Sequence, residues 1–358
     1  MRDALKNARS VVVKIGTSSL LNEAGELDLP VIKLHLLELV SLHQKGVRVV
    51  LVTSGSIGAG RGKLGYDKRP DTIPELQASA AVGQSLLMNS YNSLLAPEGY
   101  FVAQLLLTHE DFRDRKRYLN VRNTLAALHG KPVLPVINEN DTVATEEIHF
   151  GDNDGLAAQV AGLVDADVTI LFSDVDGFHF EGEKLDQVQE ITAEMEKAAG
   201  PGDGTGGMVT KLRAAGTITR AGGHVVIAKG KDDSVGKILE GNRVGTLFEA
   251  RSDLDSRARW VHGLVEAGKV HVDAGGEAAI RTAGKSLLPV GITSCEGAFQ
   301  AGDVVVVVGP GGSIAKGLVN YGAGDLEKIQ GKKSAQIEAA LGSRPFDEAI
   351  HRDNMVLL

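Results

Sequence analysis

The 358-residue sequence contains a single cysteine, Cys295, so no disulfide bond can form within the chain. That count is typical of proteins in a reducing compartment, and we expect a cytoplasmic location. No apolar run approaches the roughly 18 residues that a membrane-spanning helix needs, so we expect no membrane partner. The first residues, from Met1 to Lys6, also lack the apolar core of a secretory signal.

An excess of basic residues is absent as well, because the formal net charge is −8. This charge argues against a protein that binds nucleic acid mainly through phosphate contacts, since such binding needs a basic face. Aromatic residues make up only 4% of the chain, whereas glycine occurs 44 times. This composition suits an α/β protein with many tight turns between strands and helices, and the length suggests two domains.

Short apolar runs alternate with segments of helical periodicity from residue 10 to about residue 250. The alternation predicts a mainly parallel sheet with helices on both faces, which is a three-layer α/β sandwich. We expect the strand at residues 222–227 to close the run. The predicted strands are residues 10–14, 47–53, 100–107, 133–137, 167–172 and 222–227.

The pattern changes in the last quarter of the chain to short strands separated by glycine-rich turns. These strands predict a small β-rich domain. We place the large domain at residues 1–255, a linking helix with the only tryptophan, Trp260, at residues 256–269, and the small domain at residues 270–358. The strands predicted in the small domain are residues 269–272, 290–292, 303–308 and 315–319.

A glycine-bounded acidic turn, residues 150–155, leads into an apolar helix. Asp152, Asn153 or Asp154 could cap that helix, because a short side-chain oxygen accepts hydrogen bonds from the first free N–H groups. Three such residues in succession exceed what one cap needs. The turn could therefore also hold a polar ligand while its carboxylates orient cations, and the segment alone leaves both interpretations open.

Other polar segments follow strands or begin helices, where open parallel sheets bind ligands. Lys14 closes an apolar run and can provide a point charge to a phosphate. The glycines of residues 200–207 precede a helix whose first turn contains Lys211, which is the pattern of an anion site. The P-loop pattern GxxxxGK[ST] is absent at Lys14. The segments that we expect to converge are residues 14–18, 54–60, Asp141, 173–174 and 205–211.

These motifs together resemble the glutamate 5-kinase group of the amino acid kinase family, in the same order and over nearly the whole chain. Residues 204–211 (Gly-Thr-Gly-Gly-Met-Val-Thr-Lys) are the most specific match. The C-terminal segments 286–291 and 316–321 resemble a PUA domain. The other matching segments are residues 11–18, 54–60, 150–154 and 172–174.

The resemblance implies Mg²⁺- and ATP-dependent phosphorylation of the γ-carboxylate of L-glutamate, the first step of proline synthesis. Lys14 and Lys211 would contact the phosphoryl group in transfer, Asp154 would hold the two lysines, and Asp152 would help to order the loop. The implied glutamate-binding residues are Ser54, Asp141 and Asn153. The implied ATP-binding residues are Lys14, Ser173, Asp174, Thr205, Gly206, Gly207, Met208, Val209, Thr210 and Lys211.

The resemblance also implies inhibition by proline at or near the glutamate site. We further expect a homo-oligomer, either a dimer or a tetramer. The labile product would pass to glutamate-5-semialdehyde dehydrogenase.

Two alternatives stay open at the level of sequence. The chain could be another amino acid kinase, acting on aspartate, acetylglutamate, carbamate or a nucleotide, although Asp141 as an ammonium partner favours a free α-amino acid. It could instead bind or modify RNA through its C-terminal domain. Residues 271–358 contain eight Lys and Arg against ten Asp and Glu and no basic, aromatic stripe, which argues against RNA.

Overall fold

The computed structural model describes residues 2–22, 25–144, 153–200, 207–251 and 266–358. The chain divides into two compact units, Met1–Ser252 and Asp253–Leu358. The predicted linking helix and Trp260 lie largely outside the described residues, so this helix and the exact domain boundaries stay predictions.

The first unit is built around a mainly parallel sheet of eight strands. Its strands, together with a small hairpin formed by β6 and β7, are β1 (Ser10–Ile15), β2 (Arg48–Val52), β3 (Phe101–Leu107), β4 (Val133–Glu139), β5 (Val168–Ser173), β6 (His179–Phe180), β7 (Glu183–Lys184), β8 (Gln187–Val188), β9 (His224–Lys229) and β10 (Thr246–Phe248). The order across the sheet is β3-β4-β2-β1-β5-β9-β10-β8. Within this sheet, as far as the described residues extend, all pairings are parallel except that of β9 with β10.

The prediction that residues 222–227 close the run of strands is wrong, because β10 follows β9 and pairs with it. β10 has only three residues, too few to show a periodicity in the sequence. It is held in place by tertiary contacts, since the buried Thr246 accepts a hydrogen bond from the Phe178 amide at 2.8 Å.

Helices cover both faces of the sheet and give the three layers predicted from the sequence. Successive residues of β1 point to opposite faces of the sheet. Val11 and Val13 join the core on the face covered by the helices Leu29–Gln44 and Ile73–Leu95. Val12 joins the core on the other face, which the helices Arg115–Leu128, Asn153–Leu163 and Met208–Arg220 cover. No helix within the described ranges combines the length and apolarity needed to cross a bilayer. The helices are α1 (Thr17–Leu20), α2 (Leu29–Gln44), α3 (Ser56–Arg61), α4 (Ile73–Leu95), α5 (His109–Arg113), α6 (Arg115–Leu128), α7 (Asn153–Leu163), α8 (Ala193–Ala198), α9 (Met208–Arg220) and α10 (Val235–Leu239).

Helix α3 lies directly against α4 through two glycines. A Cβ atom on Gly60 would lie 1.9 Å from the Ser79 carbonyl oxygen, and one on Gly83 would lie 1.7 Å from the Ser56 carbonyl oxygen. Gly55, with φ of 87°, forms the left-handed turn that precedes α3. Part of the glycine signal in residues 54–60 therefore reflects helix packing rather than an open ligand loop.

The second unit contains a five-stranded sheet, β11 (Gly268–Val272), β12 (Ile292–Glu296), β13 (Val304–Gly309), β14 (Gly312–Leu318) and β15 (Met355–Leu357), in the order β12-β11-β13-β14-β15. Its helices are α11 (Ala274–Arg281), α12 (Ala323–Ile329) and α13 (Ile337–Leu341). The predicted β-rich domain is thus confirmed. The predicted strand 290–292 is wrong, because Pro289–Gly291 forms a 3-10 turn, which the fixed φ of proline favours, and β12 begins at Ile292.

We predict that Gly60→Ala destabilises the first unit by about 1–3 kcal/mol, because the added methyl group forces α3 away from the α4 backbone. Gly62→Ala is the matched control, since a Cβ at Gly62 meets nothing within 4 Å. Urea denaturation of both variants and the parent provides the measurement. Equal stability of the two variants would contradict the packing role of Gly60.

Candidate active site

A buried ion cluster joins three distant parts of the chain near the carboxyl ends of the parallel strands. The Lys14 Nζ atom on β1 lies 2.6 Å from Oδ1 of Asp154, at the start of α7. The Lys211 Nζ atom on α9 lies 3.0 Å from Oδ2 of the same carboxylate. The exposed fractions of the three side chains are 6%, 0% and 5% in that order. One carboxylate therefore holds two ammonium groups in a fixed arrangement away from bulk water.

The electrostatics of the cluster leave it with a net positive charge. Burial by itself would raise the pKa of Asp154, but the nearby ammonium groups of Lys14 and Lys211 outweigh burial and hold that pKa below its ordinary value. The carboxylate is consequently ionised at neutral pH. The formal charges of these three side chains sum to +1, and a positive local field attracts anions. The cluster is thus suited to an anionic ligand such as a phosphoryl group.

The start of α9 adds backbone donors next to this cluster. Gly207 is the residue before the helix and has no side chain with which to cap the first N–H groups. These groups and the helix dipole favour an anion at this end of the 13-residue helix. The Thr210 hydroxyl lies 2.7 Å from the Gly207 carbonyl oxygen and 3.1 Å from Oδ2 of Asp154, which ties the first turn to the cluster.

A polar cavity of about 190 Å³ lies next to the cluster. Asn153 connects the two, since it lines the cavity and directly precedes Asp154 in the sequence. The Asn153 Nδ2 atom lies 2.6 Å from the Thr53 carbonyl oxygen, 3.0 Å from Ser54 Oγ and 2.8 Å from Asn138 Oδ1. Asn153 is therefore held by the ends of β2 and β4. The predicted glutamate-binding residues Ser54, Asp141 and Asn153 all line this one cavity.

Asp141 is one of the two acidic residues, with Glu139, that line the cavity among the described residues, and its carboxylate can accept an ammonium ion. Burial raises the pKa of its carboxyl group, while a hydrogen bond from Ser56 and the positive charge of Arg69 act in the opposite direction. The Ser56 hydroxyl donates to Oδ2 at 2.8 Å and fixes the orientation of the carboxylate. An incoming ammonium group would compensate the carboxylate for the water that burial removes.

Ser173 and Asp174 lie at the end of β5, which pairs in parallel with β1. The chain proceeds from β1 to β2 on one side, whereas β5 lies on the other side, so the strand order reverses between β1 and β5. Ligands of open α/β sheets bind at such a point. The Ser173 hydroxyl donates to Oδ1 of Asp174 at 2.8 Å. The predicted nucleotide residues thus lie one strand away from Lys14, at the same edge of the sheet.

Asn138 was not among the predicted site residues, and Ser56 was predicted only as part of the segment 54–60, without a role of its own. Asn138 bonds to Asn153 and to Gln84, the latter at 2.8 Å, and Ser56 orients Asp141. Asn138 could have been found, because it stands in the polar run after a predicted strand, where Asp141 was chosen. Three predicted residues lie outside the described residues, and their roles stay predictions: Asp152, Thr205 and Gly206.

Comparison with known proteins agrees with this architecture. The model of the amino acid kinase family matches residues 9–229, and the model of the PUA domain matches residues 268–341. The chain belongs to the amino acid kinase family and carries a PUA domain after the kinase-type unit.

The chain's full-length relatives are more specific and confirm the resemblance seen in the motifs. Glutamate 5-kinase from Moorella thermoacetica is 45% identical over 100% of this chain and 98% of its own length. Glutamate 5-kinase from Caldanaerobacter subterraneus subsp. tengcongensis is 46% identical over 97% of each chain. Among solved structures, carbamate kinase from Giardia lamblia bound to AMP-PNP aligns with 18% identity and a TM-score of 0.48, covering 69% of this chain and 100% of that one. The family assignment rests on the sequence matches alone.

We predict that Asp154→Asn destabilises the protein by about 3–5 kcal/mol, because it leaves two buried ammonium groups without their carboxylate. Asp3→Asn is the control, since Asp3 pairs with Lys6 on the exposed surface, where an ion pair contributes little. Chemical denaturation at several pH values measures both.

The pH dependence of the Asp154 effect has a definite sign. The lowered pKa in the folded state stabilises the parent fully above the unfolded value of 3.8, and this stabilisation is lost as the pH falls from that value toward the folded pKa. The difference between parent and Asp154→Asn should therefore shrink on acidification. A constant difference would show that the ion cluster is not its source.

Proposed function

We propose that this protein transfers the γ-phosphoryl group of ATP to the γ-carboxylate of L-glutamate, which gives L-glutamyl 5-phosphate and starts proline biosynthesis. The observation that carries the proposal is the buried Lys14–Asp154–Lys211 cluster, which adjoins a small polar cavity containing Asp141. The near-full-length similarity to glutamate 5-kinases supports it.

The reaction needs positioning and positive charge rather than covalent catalysis. An oxygen of the γ-carboxylate attacks the γ-phosphorus, and the bond from that phosphorus to the β–γ bridging oxygen breaks, so that ADP leaves. No proton has to be removed, because a glutamate side chain with a pKa of about 4.3 is already ionised at neutral pH. Charge spreads over the equatorial phosphoryl oxygens, and Lys14 and Lys211 are placed to donate to them.

The other residues divide into three groups by location. Asp154 acts as a positioning residue that holds the two catalytic lysines. Ser54, Asp141 and Asn153 bind glutamate in the cavity, with Asp141 pairing with the α-ammonium group. The ATP-binding set comprises Ser173, Asp174, Gly207, Met208, Val209, Thr210 and Lys211, and we assign Thr205 and Gly206 to the same set and Asp152 to loop ordering.

Mg²⁺ belongs to the proposed reaction as the companion of ATP, where it neutralises charge on the phosphates. Within the described residues, no group of three His, Cys, Asp or Glu side chains is arranged to hold a metal ion. In many kinases Mg²⁺ keeps phosphate and water ligands and has only one or two carboxylate ligands from the protein. Both carboxylate oxygens of Asp154 contact lysines, so we assign no magnesium ligand to this residue.

Further properties belong to the same proposal. We place the enzyme in the cytoplasm, as a dimer or tetramer that proline inhibits and that passes its labile product to glutamate-5-semialdehyde dehydrogenase. Of the alternative acceptors, N-acetylglutamate is less compatible with the cavity, because N-acetylation removes the ammonium charge that Asp141 would bind. Aspartate keeps that charge, and the similarity to glutamate 5-kinases favours glutamate over it. An RNA-binding role of the C-terminal unit is the alternative from a different class, and a salt-dependent binding assay would test it.

We predict that L-glutamate is the preferred phosphoryl acceptor in a side-by-side test with L-aspartate and N-acetyl-L-glutamate, because the cavity offers a carboxylate to the α-ammonium group. Hydroxylamine converts the acyl phosphate to a coloured hydroxamate complex with iron and gives the readout. Faster turnover of N-acetyl-L-glutamate would overturn the assignment.

We predict that Lys14→Met and Lys211→Met each lower kcat by about 10²–10³-fold, because each variant loses one preorganised donor to the transition state. Methionine keeps most of the length of the side chain but not the charge. Lys33→Met on the exposed face of α2 is the control and should retain the parental kcat. If folded variants at both positions stayed within a few-fold of the parent, the lysines would have no part in the mechanism.

A further inference from the structure

The proposed substrate presents two carboxylates to the protein, and only one of them reacts. Lys14 and Lys211 contact Asp154 and face the phosphoryl group, so they are committed to the γ end. The α-carboxylate is attached to the same carbon as the ammonium group that Asp141 accepts. A cation that lines the same cavity as Asp141 would be a strong partner for it, because charge-assisted hydrogen bonds to a carboxylate are stronger than neutral ones.

Two arginines line this cavity, and their surroundings differ. Burial raises the pKa of Asp141, and the positive charge of Arg69, which lines the same cavity, acts in the opposite direction, so Arg69 already serves that carboxylate. Arg61 is the last residue of α3 and is partly exposed. Within the described ranges, no acidic side chain forms an ion pair with Arg61. The guanidinium group of Arg61 can therefore bind an external carboxylate, whereas the charge of Arg69 already interacts with the carboxylate of Asp141.

The fold holds Arg61 in place from two sides. Helix α3 packs closely on α4, because Gly60 has no side chain and lies directly against the Ser79 backbone. The Arg61 guanidinium lies against the turn at Gly25, where a Cβ atom would be 2.9 Å from Nη2. Ser56 at the other end of α3 donates to Asp141. The short helix α3 thus contributes Ser56, next to the proposed ammonium site, at its start and Arg61 at its end.

We propose that Arg61 binds the α-carboxylate of L-glutamate through charge-assisted hydrogen bonds and thereby makes the enzyme specific for a free α-carboxylate. This inference rests on the proposed function. A guanidinium group suits the role, because its planar fork can donate two parallel hydrogen bonds to one carboxylate.

The test compares L-glutamate with L-isoglutamine, which keeps the γ-carboxylate and the α-ammonium group but has a neutral amide in place of the α-carboxylate. Arg61→Gln should lower kcat/KM for L-glutamate by about 10–100-fold, mainly through KM, since a hydrogen bond to a charged group is lost. The value for L-isoglutamine should change by less than about threefold, because that substrate has no charge for Arg61 to bind. Arg61→Lys should restore part of the preference, since it keeps the charge but not the fork.

Lys63→Gln is the matched control, because it removes a positive charge two residues away. Arg61 lines both the substrate cavity and a neighbouring cavity of about 520 Å³, whereas the exposed Lys63 lines only the neighbouring one. It should leave the preference for L-glutamate over L-isoglutamine unchanged. Calorimetric titration of L-glutamate into each variant, with thermal melting as the check on folding, gives a second measurement of the same loss.

The outcomes separate this inference from the proposed function. If the parent is active and Arg61→Gln keeps the parent's preference for L-glutamate over L-isoglutamine, the role of Arg61 is overturned and the proposed function stays intact. A parent that forms no acyl phosphate from L-glutamate would overturn the proposed function itself. The inference is supported if Arg61→Gln lowers kcat/KM less for L-isoglutamine than for L-glutamate and Lys63→Gln shows no such difference.

Discussion

The interaction on which the site depends is the pairing of one buried carboxylate with two ammonium groups. Asp154 has no solvent exposure, and Lys14 and Lys211 contact its two oxygens and compensate its buried charge. These partners lie 140 and 57 residues away along the chain. The cluster can therefore form only when β1, α7 and α9 have all reached their final positions, and it couples the folding of the unit to the assembly of the site.

The first residues of α7 connect the two halves of this site. Asn153 contacts the ends of β2 and β4, whereas Asp154 contacts the lysines on β1 and α9. Successive helical residues point about 100° apart, so two neighbours on one helix can serve two adjacent sites. A small movement of α7 would change both, which gives a physical reason for the proposed acceptor and phosphoryl sites to be kept in register.

Helix α3 shows how packing and recognition share a short segment. A helix of six residues has little stability of its own, so α3 depends on its contact with α4. Glycine at positions 60 and 83 permits that contact, and Ser56 at the start of the helix orients Asp141. Some of the glycines that suggested a ligand loop are therefore needed for the close approach of the α3 and α4 backbones.

The sequence by itself determined the elements whose signals are local. Buried parallel strands appear as apolar runs, and the lysines and carboxylates follow strands or begin helices, so the parallel sheet and Lys14, Asp154 and Lys211 could be chosen in advance. Only the tertiary structure decided which of these side chains touch. The bond from Ser56 to Asp141 joins residues 85 apart, and it depends on the order of the strands and the packing of α3, which leave no periodic trace in the sequence. The same holds for β10, whose three residues are a strand because of the neighbours they meet rather than because of their own pattern.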